Sequence, residues 1–264
     1  MEKHQEFIHK DILEKVSLRY HTITKAINRE FWNSFSDKLH SLFVGSYGRN
    51  TAINTSDVDV LVELPQSLKS TFDNYSGNSQ SRLLQAIRNE ILASYPTSDV
   101  RADGQVVKIA FTDDIVFEVV PGFRSYDDSF TYPDTNNGGK WRLTNPIKEQ
   151  AAMSQKNRDS NGLLYDTCKH IRYIRDNYFS SYHLSGIVID SFVYKAIGGW
   201  RWCNVGESSS TPKGTYEKSL LNFFYQNMNN FKFNINAPGS NDLIPSSSSV
   251  ECLEKVLLEI AKEN

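Results

Sequence analysis

Apolar residues at Ile8, Ile12, Leu13, Val16, Leu18, Ile23 and Ile27 recur at near-helical spacing, with charged residues between them. No glycine or proline interrupts residues 5–39. A stripe of that period predicts one long amphipathic helix. Shorter apolar runs follow. Leu42-Phe43-Val44 and the valines around Leu61 predict strands over 41–45 and 57–64, the second ended by Pro65. Residues 66–80, rich in Ser, Asn, Gln and Thr, read as a loop leading into a helix. Leu83, Leu84, Ile87, Ile91 and Leu92 share one face of a helix over 81–95, closed by Pro96. Val106–Phe111 and Ile115–Val120 predict a hairpin across Thr112-Asp113-Asp114, with Pro121-Gly122 stopping its second strand.

Beyond about Asn145 the pattern becomes helical, over 163–177, 186–197, 216–230 and 250–262. Ser240–Ser249 reads as a polar linker, with Ser249 placed as the N-cap of the last helix. No internal repeat is visible. The expected organisation is α+β: a core over 1–145 behind the N-terminal helix, then a helical lobe over 146–264.

Bulk properties narrow the classes. At 264 residues, 39% hydrophobic and 23% charged, the chain reads as a soluble globular protein with room for two lobes. No apolar run is long enough to cross a membrane, and Met1-Glu2-Lys3-His4-Gln5-Glu6 does not read as a signal peptide. The expected location is the cytoplasm. A formal net charge of −2 argues against a large constitutive nucleic-acid surface, and so for small nucleotides over long polymers. Cys168, Cys203 and Cys252 are too far apart for a zinc pair and fit reduced thiols.

Candidate chemistry is concentrated in Gly45-Ser46-Tyr47-Gly48-Arg49-Asn50-Thr51 and the following Ser56-Asp57-Val58-Asp59-Val60. Side chains two apart on a strand share a face, so Asp57 and Asp59 project together while Val58, Val60 and Val62 turn toward a core. Two carboxylates that close repel unless a cation sits between them. Mg²⁺ is the natural ion, with Mn²⁺ as an alternative, because it takes hard oxygen ligands and shares them with phosphates. Gly45 lets backbone N–H groups approach a phosphate, and Ser46 adds a hydroxyl donor. Arg49 and Thr51 are placed either to orient the loop or to touch phosphate. Together these features suit a nucleoside triphosphate held on divalent metal.

At these residues the chain resembles the nucleotidyltransferase superfamily with a polymerase-β-like core. It resembles more closely the bacterial cyclic-oligonucleotide synthases called CD-NTases, relatives of cyclic GMP–AMP synthase and oligoadenylate synthase. The resemblance implies a mixed-sheet catalytic core braced by the long N-terminal helix, plus a helical C-terminal lobe. Two-metal phosphoryl transfer needs a third acidic ligand on a strand beside the two aspartates. Glu118, the only charged residue of Ile115–Val120, is the candidate. The family usually carries aspartate there, a few residues before a proline, here Pro121. The alternatives are that Glu118 is a buried ion-pair partner, or that Asp113 or Asp114 at the turn takes the role.

Trp141-Arg142-Leu143-Thr144-Asn145-Pro146 resembles the family segment that crosses between lobes, and Trp141 suits a core position more often than a base-stacking platform, though an aromatic fits either. Lys169 aligns with a family lysine on the donor triphosphate, and Ser185 with a family serine at a helix start. His170 and His183 show no metal spacing and read as surface or capping residues. The implied activity joins ATP, GTP or other NTPs, with two Mg²⁺ ions, into a cyclic or short linear oligonucleotide. That product would serve as a second messenger in antiphage signalling, read by a separate effector protein. Competing readings are transfer to another acceptor (small molecule, protein or RNA end) and a nucleotide-binding module without catalysis.

Overall fold

The N-terminal stripe folds as α1 (Lys10–Phe31). In this computed structural model residues 1, 3, 7–231 and 234–262 are described. Residues 5 and 6 of the expected helix, and residues 2 and 4–6 of the stretch read for a signal peptide, lie outside them. α1 buries Val16, Ile23 and Ile27, whereas Leu13 and Leu18 stay exposed. It stops well short of residue 39, and the loop that follows is tied back to its last turn. The Asn28 amide donates to the Ser36 and Leu39 carbonyls at 2.9 and 2.7 Å. Asn33 then takes a left-handed φ of 48°, which asparagine tolerates better than most residues.

The core sheet contains β1 (Ser41–Phe43), β2 (Val58–Glu63), β3 (Asp99–Asp103), β4 (Val106–Ala110), β5 (Val116–Arg124), β6 (Phe130–Asp134) and β7 (Lys140–Thr144). The order is β1-β2-β5-β4-β3, with β6 on β5 and β7 on β6. β2 and β5 run parallel and the other pairs antiparallel, so the sheet is mixed. Three helices lie between these strands: α2 (Gly45–Gly48), α3 (Gln66–Asp73) and α4 (Ser79–Ser94). Val58, Val60, Val62, Val107, Ile109, Phe117 and Val119 form one hydrophobic core with α1 and with Leu83, Leu84, Ile87 and Ile91 of α4. The Asn78 side chain caps α4 by accepting from the Ser81 N–H at 2.9 Å.

The predicted hairpin forms, but Pro121-Gly122 does not stop β5, which runs on to Arg124. β4 pairs with β5 up to Val119, and β6 takes over at Phe123. Pro121 falls between these partners, so its missing N–H costs no ladder bond on that edge. At the hairpin turn, Arg19 Nη1 and Nη2 donate to the two carboxylate oxygens of Asp113, each at 2.9 Å, and Lys15 Nζ lies 3.3 Å away. Asp113 is thus a structural clasp between α1 and the turn. The Arg19 hydrogen bonds, aided by Lys15, hold its carboxyl down at about 2. A carboxyl depressed below its unfolded value, ~3.9, stabilises above that value and loses the contribution as pH falls through about 2. Asp113→Asn is expected to cost up to about 1 kcal/mol at neutral pH. It should also flatten the decline of urea stability between about pH 5 and pH 2. Parallel declines in parent and variant would refute the assignment.

The remaining chain forms α5 (Pro146–Asp159), α6 (Leu163–Tyr178), α7 (Gly186–Ala196), α8 (Thr215–Phe231), β8 (Asn234–Asn236), β9 (Leu243–Pro245) and α9 (Val250–Lys262). α5 and the β8–β9 ladder are additions to the sequence expectation, and β9 lies inside the stretch read as a linker. Ser249 ends a 3₁₀ turn directly before α9, and its hydroxyl accepts from the Ser185 N–H at 3.1 Å.

Two compact units result. One comprises Ile8–Gly48 and Ser56–Ile147, the other Met1–Phe7, Arg49–Thr55 and Lys148–Asn264. The division therefore differs from a single boundary at 145/146: the segment after α2 and the first residues belong with the helices. The Asn54 N–H donates to the Phe7 carbonyl at 2.8 Å, and Phe7 packs edge-on against Tyr173. Trp141 stays within the sheet unit, where its Nε1 donates to Asp73 and its ring meets Phe123 edge-on.

Candidate active site

Val58, Val60 and Val62 are fully buried beneath β2, which leaves Asp59 on its other face, two residues past the exposed Asp57. Gly45 has a φ of +57°, and a Cβ on it would fall 1.8 Å from Asp59 Oδ2. Only glycine fits that turn. The preceding Val44 N–H donates to the Asp59 carbonyl at 2.9 Å, and Val44 in turn accepts from the Gly48 N–H at 2.9 Å. The Gly-Ser turn is thereby fastened to the backbone of the second aspartate. Ser46 sits half-buried in α2.

Register brings in the third carboxylate. Asp59 is the parallel partner of Glu118, Glu118 the antiparallel partner of Lys108, and Lys108 the partner of Arg101. Partners directly across a ladder share a face. Four adjacent strands thus carry a row of two carboxylates followed by two cations. Partial desolvation pushes the Asp57 carboxyl above its ordinary pKa; the Glu118 charge adds to the shift, and Lys108 opposes it. The donor set is hard oxygen with a surplus of negative charge, which fits a divalent cation at Asp57 and Asp59.

Glu118 is placed differently from a ready metal ligand. Lys108 Nζ donates to Glu118 Oε1 at 3.2 Å. Among the described residues no three His, Cys, Asp or Glu side chains gather as a preformed metal cage. The third expected carboxylate is instead paired with an ammonium. Asp113, the alternative third ligand, is engaged by Arg19 and Lys15 instead. Lys108 was legible in principle. It is the only charged residue of Val106–Phe111, and a hairpin turning at Asp113 sets position 108 opposite 118.

The other expected site residues belong to the helical unit. Arg49 and Thr51 are buried, and both donate to Asp190 Oδ2, at 2.8 and 3.0 Å. Arg49 Nη1 also donates to Glu149 at 2.9 Å. Of the two roles open to them in the sequence, this geometry is that of orienting the loop. Lys169 lies on α6, half-buried, and its pKa is lowered by burial against the opposing pull of Asp166. Ser185 is the N-cap residue of α7. His183 is exposed, but His170 is buried rather than at the surface, as one position on the inward face of α6 requires.

The candidate site thus combines Asp59 on β2, Asp57 just before that strand, a glycine turn fastened to the second aspartate and an acidic neighbour in register. Residues 8–157 match the Second Messenger Oligonucleotide or Dinucleotide Synthetase domain, and the chain belongs to that family. Among curated protein sequences none matches this chain significantly. Solved structures share its fold. A Rhodothermus marinus CdnE c-UMP-AMP synthase, with Apcpp and Upnpp, aligns over 98% of this chain and 94% of its own at TM-score 0.68 and 15% identity. An Elizabethkingia meningoseptica CdnE cyclic dinucleotide synthase, with GTP and Apcpp, aligns over 98% and 92% at TM-score 0.64 and 15% identity. The Bradyrhizobium diazoefficiens CD-NTase CdnG, in complex with GTP, aligns over 96% and 86% at TM-score 0.62 and 9% identity. The chain thus has the CD-NTase fold. Among the described residues no helix is long and apolar enough to cross a membrane.

Proposed function

We propose that this protein is a nucleotidyltransferase that joins NTPs into a cyclic or short linear oligonucleotide. The observation that carries the reading is the pair Asp57 and Asp59 beside a glycine turn that only glycine can make, with Glu118 in register on the next strand. Asp57 and Asp59 hold Mg²⁺ or Mn²⁺ on the triphosphate, and Glu118 joins them in holding a second ion. Bound there, such ions neutralise the triphosphate and lower the pKa of the acceptor hydroxyl. The Gly45–Ser46 turn holds phosphate through backbone N–H groups and the Ser46 hydroxyl. Lys169 and Ser185 contribute an ammonium and a hydroxyl to the donor phosphates. The acceptor is a ribose 2′ or 3′ hydroxyl, and the oxygen that attacks the α-phosphate displaces pyrophosphate. The product acts as a second messenger in antiphage signalling and is read by a separate effector. Family membership and the fold shared with cyclic dinucleotide synthases support this over transfer to another acceptor.

The test is to incubate the purified chain with four NTPs and Mg²⁺ or Mn²⁺, treat with phosphatase, and identify products by mass spectrometry. A phosphatase-resistant product with the mass of a cyclic di- or trinucleotide is expected. Nucleotide attached to an added acceptor, with no oligonucleotide under any condition, would replace this reading with the acceptor-modifying one.

A further inference from the structure

Lys108 is paired with the carboxylate that the two-cation reading assigns to the second ion. Its ammonium is 3.2 Å from Glu118 Oε1, and its strand is the direct neighbour of the strand that carries Glu118. Glu118 is in turn the register partner of Asp59 on the strand beyond. We infer that Lys108 is a built-in competitor for Glu118, which the second divalent cation must displace before the three carboxylates can act together. The inference rests on the proposed nucleotidyltransferase reading and adds a residue which that reading does not use.

The chemistry is a simple exchange. A carboxylate whose nearest neighbours are other carboxylates is costly without a counter-charge. Lys108 provides one, at the end of a flexible four-carbon stem. The pair is half in solvent, with side-chain exposures of 42% for Lys108 and 28% for Glu118, so the ammonium leaves at small cost. Exposed pairs of this kind hold with a preference of up to about fivefold. A divalent ion that takes two or three of the same oxygens outcompetes it once present at sufficient concentration. The consequence is an ordered site. The second ion is admitted only against Lys108.

The experiment is equilibrium Mn²⁺ binding to the full chain, read from the electron paramagnetic resonance of the free ion, with a saturating non-hydrolysable ATP analogue. Parent, Lys108→Met, Lys108→Arg and Glu118→Gln are compared. Methionine keeps the length of the stem and removes the charge. Lys108→Met is expected to tighten the weaker class of sites about three- to fivefold and leave the tighter class unchanged. Lys108→Arg should behave as the parent. In a Glu118→Gln background the effect of Lys108→Met should vanish, which excludes a general change in surface charge. An unchanged or weakened second class in folded Lys108→Met overturns the inference while leaving the two-aspartate site intact. A parent that binds no more Mn²⁺ than an Asp57→Asn, Asp59→Asn chain overturns the inference together with the reading beneath it.

Discussion

Changing Asp57 and Asp59 together to asparagine is expected to abolish product formation while leaving a folded chain. The two carboxylates supply most of the anionic oxygen at the site, and asparagine is a poor ligand for a hard dication. Loss of metal-assisted charge stabilisation is worth several kcal/mol of barrier, hence a rate loss of about a thousandfold or more. Stability should move the other way. Burial and the Glu118 charge raise the Asp57 carboxyl above its ordinary pKa. For an acid raised on folding, the ionised form is the costly one, so the cost is present at neutral pH and relieved as pH falls below the folded value. Asparagine at position 57 removes that cost at every pH. The variant is therefore expected to melt no lower than the parent at pH 7, and to lose the gain in melting temperature that Mg²⁺ or Mn²⁺ gives the parent. Product yield by mass spectrometry and melting with and without metal measure both. Retained synthesis would remove the carboxylate pair from the chemistry.

The centre of this site was readable because its parts are close in sequence. Gly45-Ser46 and Asp57-x-Asp59 are short motifs, and alternation alone put three valines under the aspartates. Glu118 was readable as a lone charge in an apolar strand. Its partner Lys108 is contained in the hairpin symmetry about Asp113. Other elements left a weaker trace. β3 is exposed on alternate residues and offers Asp99, Arg101 and Asp103 with only Val100 deeply buried, so an edge strand there has no apolar stripe to announce it. α5 presents a mostly polar surface with Met153 fully buried, and its pattern is correspondingly faint. The turn between β6 and β7 needs Asn137, Gly138 and Gly139 at positive φ, a signal of a turn but not of the strands beside it. The least legible feature is a set of buried charges, because each member makes sense only with partners far away in sequence.

That set centres on Asp190, the only charged residue of Gly186–Val193, which is fully buried in α7. Its carboxylate accepts from Arg172 at 2.7 and 2.9 Å, from Arg49 at 2.8 Å and from Thr51 at 3.0 Å. Arg172 Nη1 and Nη2 also donate to the Cys168 and Gly186 carbonyls, at 3.2 and 3.0 Å. Burial works against the ionised carboxyl, but Arg172 and Arg49 outweigh it and hold Asp190 below the usual carboxylate range. With Glu149 on Arg49, two cations face two anions. Asp190→Ala would remove the carboxylate that both buried guanidinium groups share. Breaking a buried pair from one side costs about 3–5 kcal/mol, because the abandoned charge cannot return to water. At about 2–4 °C per kcal/mol for a chain of this size, the melting temperature is expected to fall by roughly 10 °C. Asp190→Asn, which keeps the acceptor oxygen but not the charge, should fall between parent and alanine. A loss below about 1 kcal/mol for Asp190→Ala in urea denaturation would mean that the network is not buried in solution as it is here.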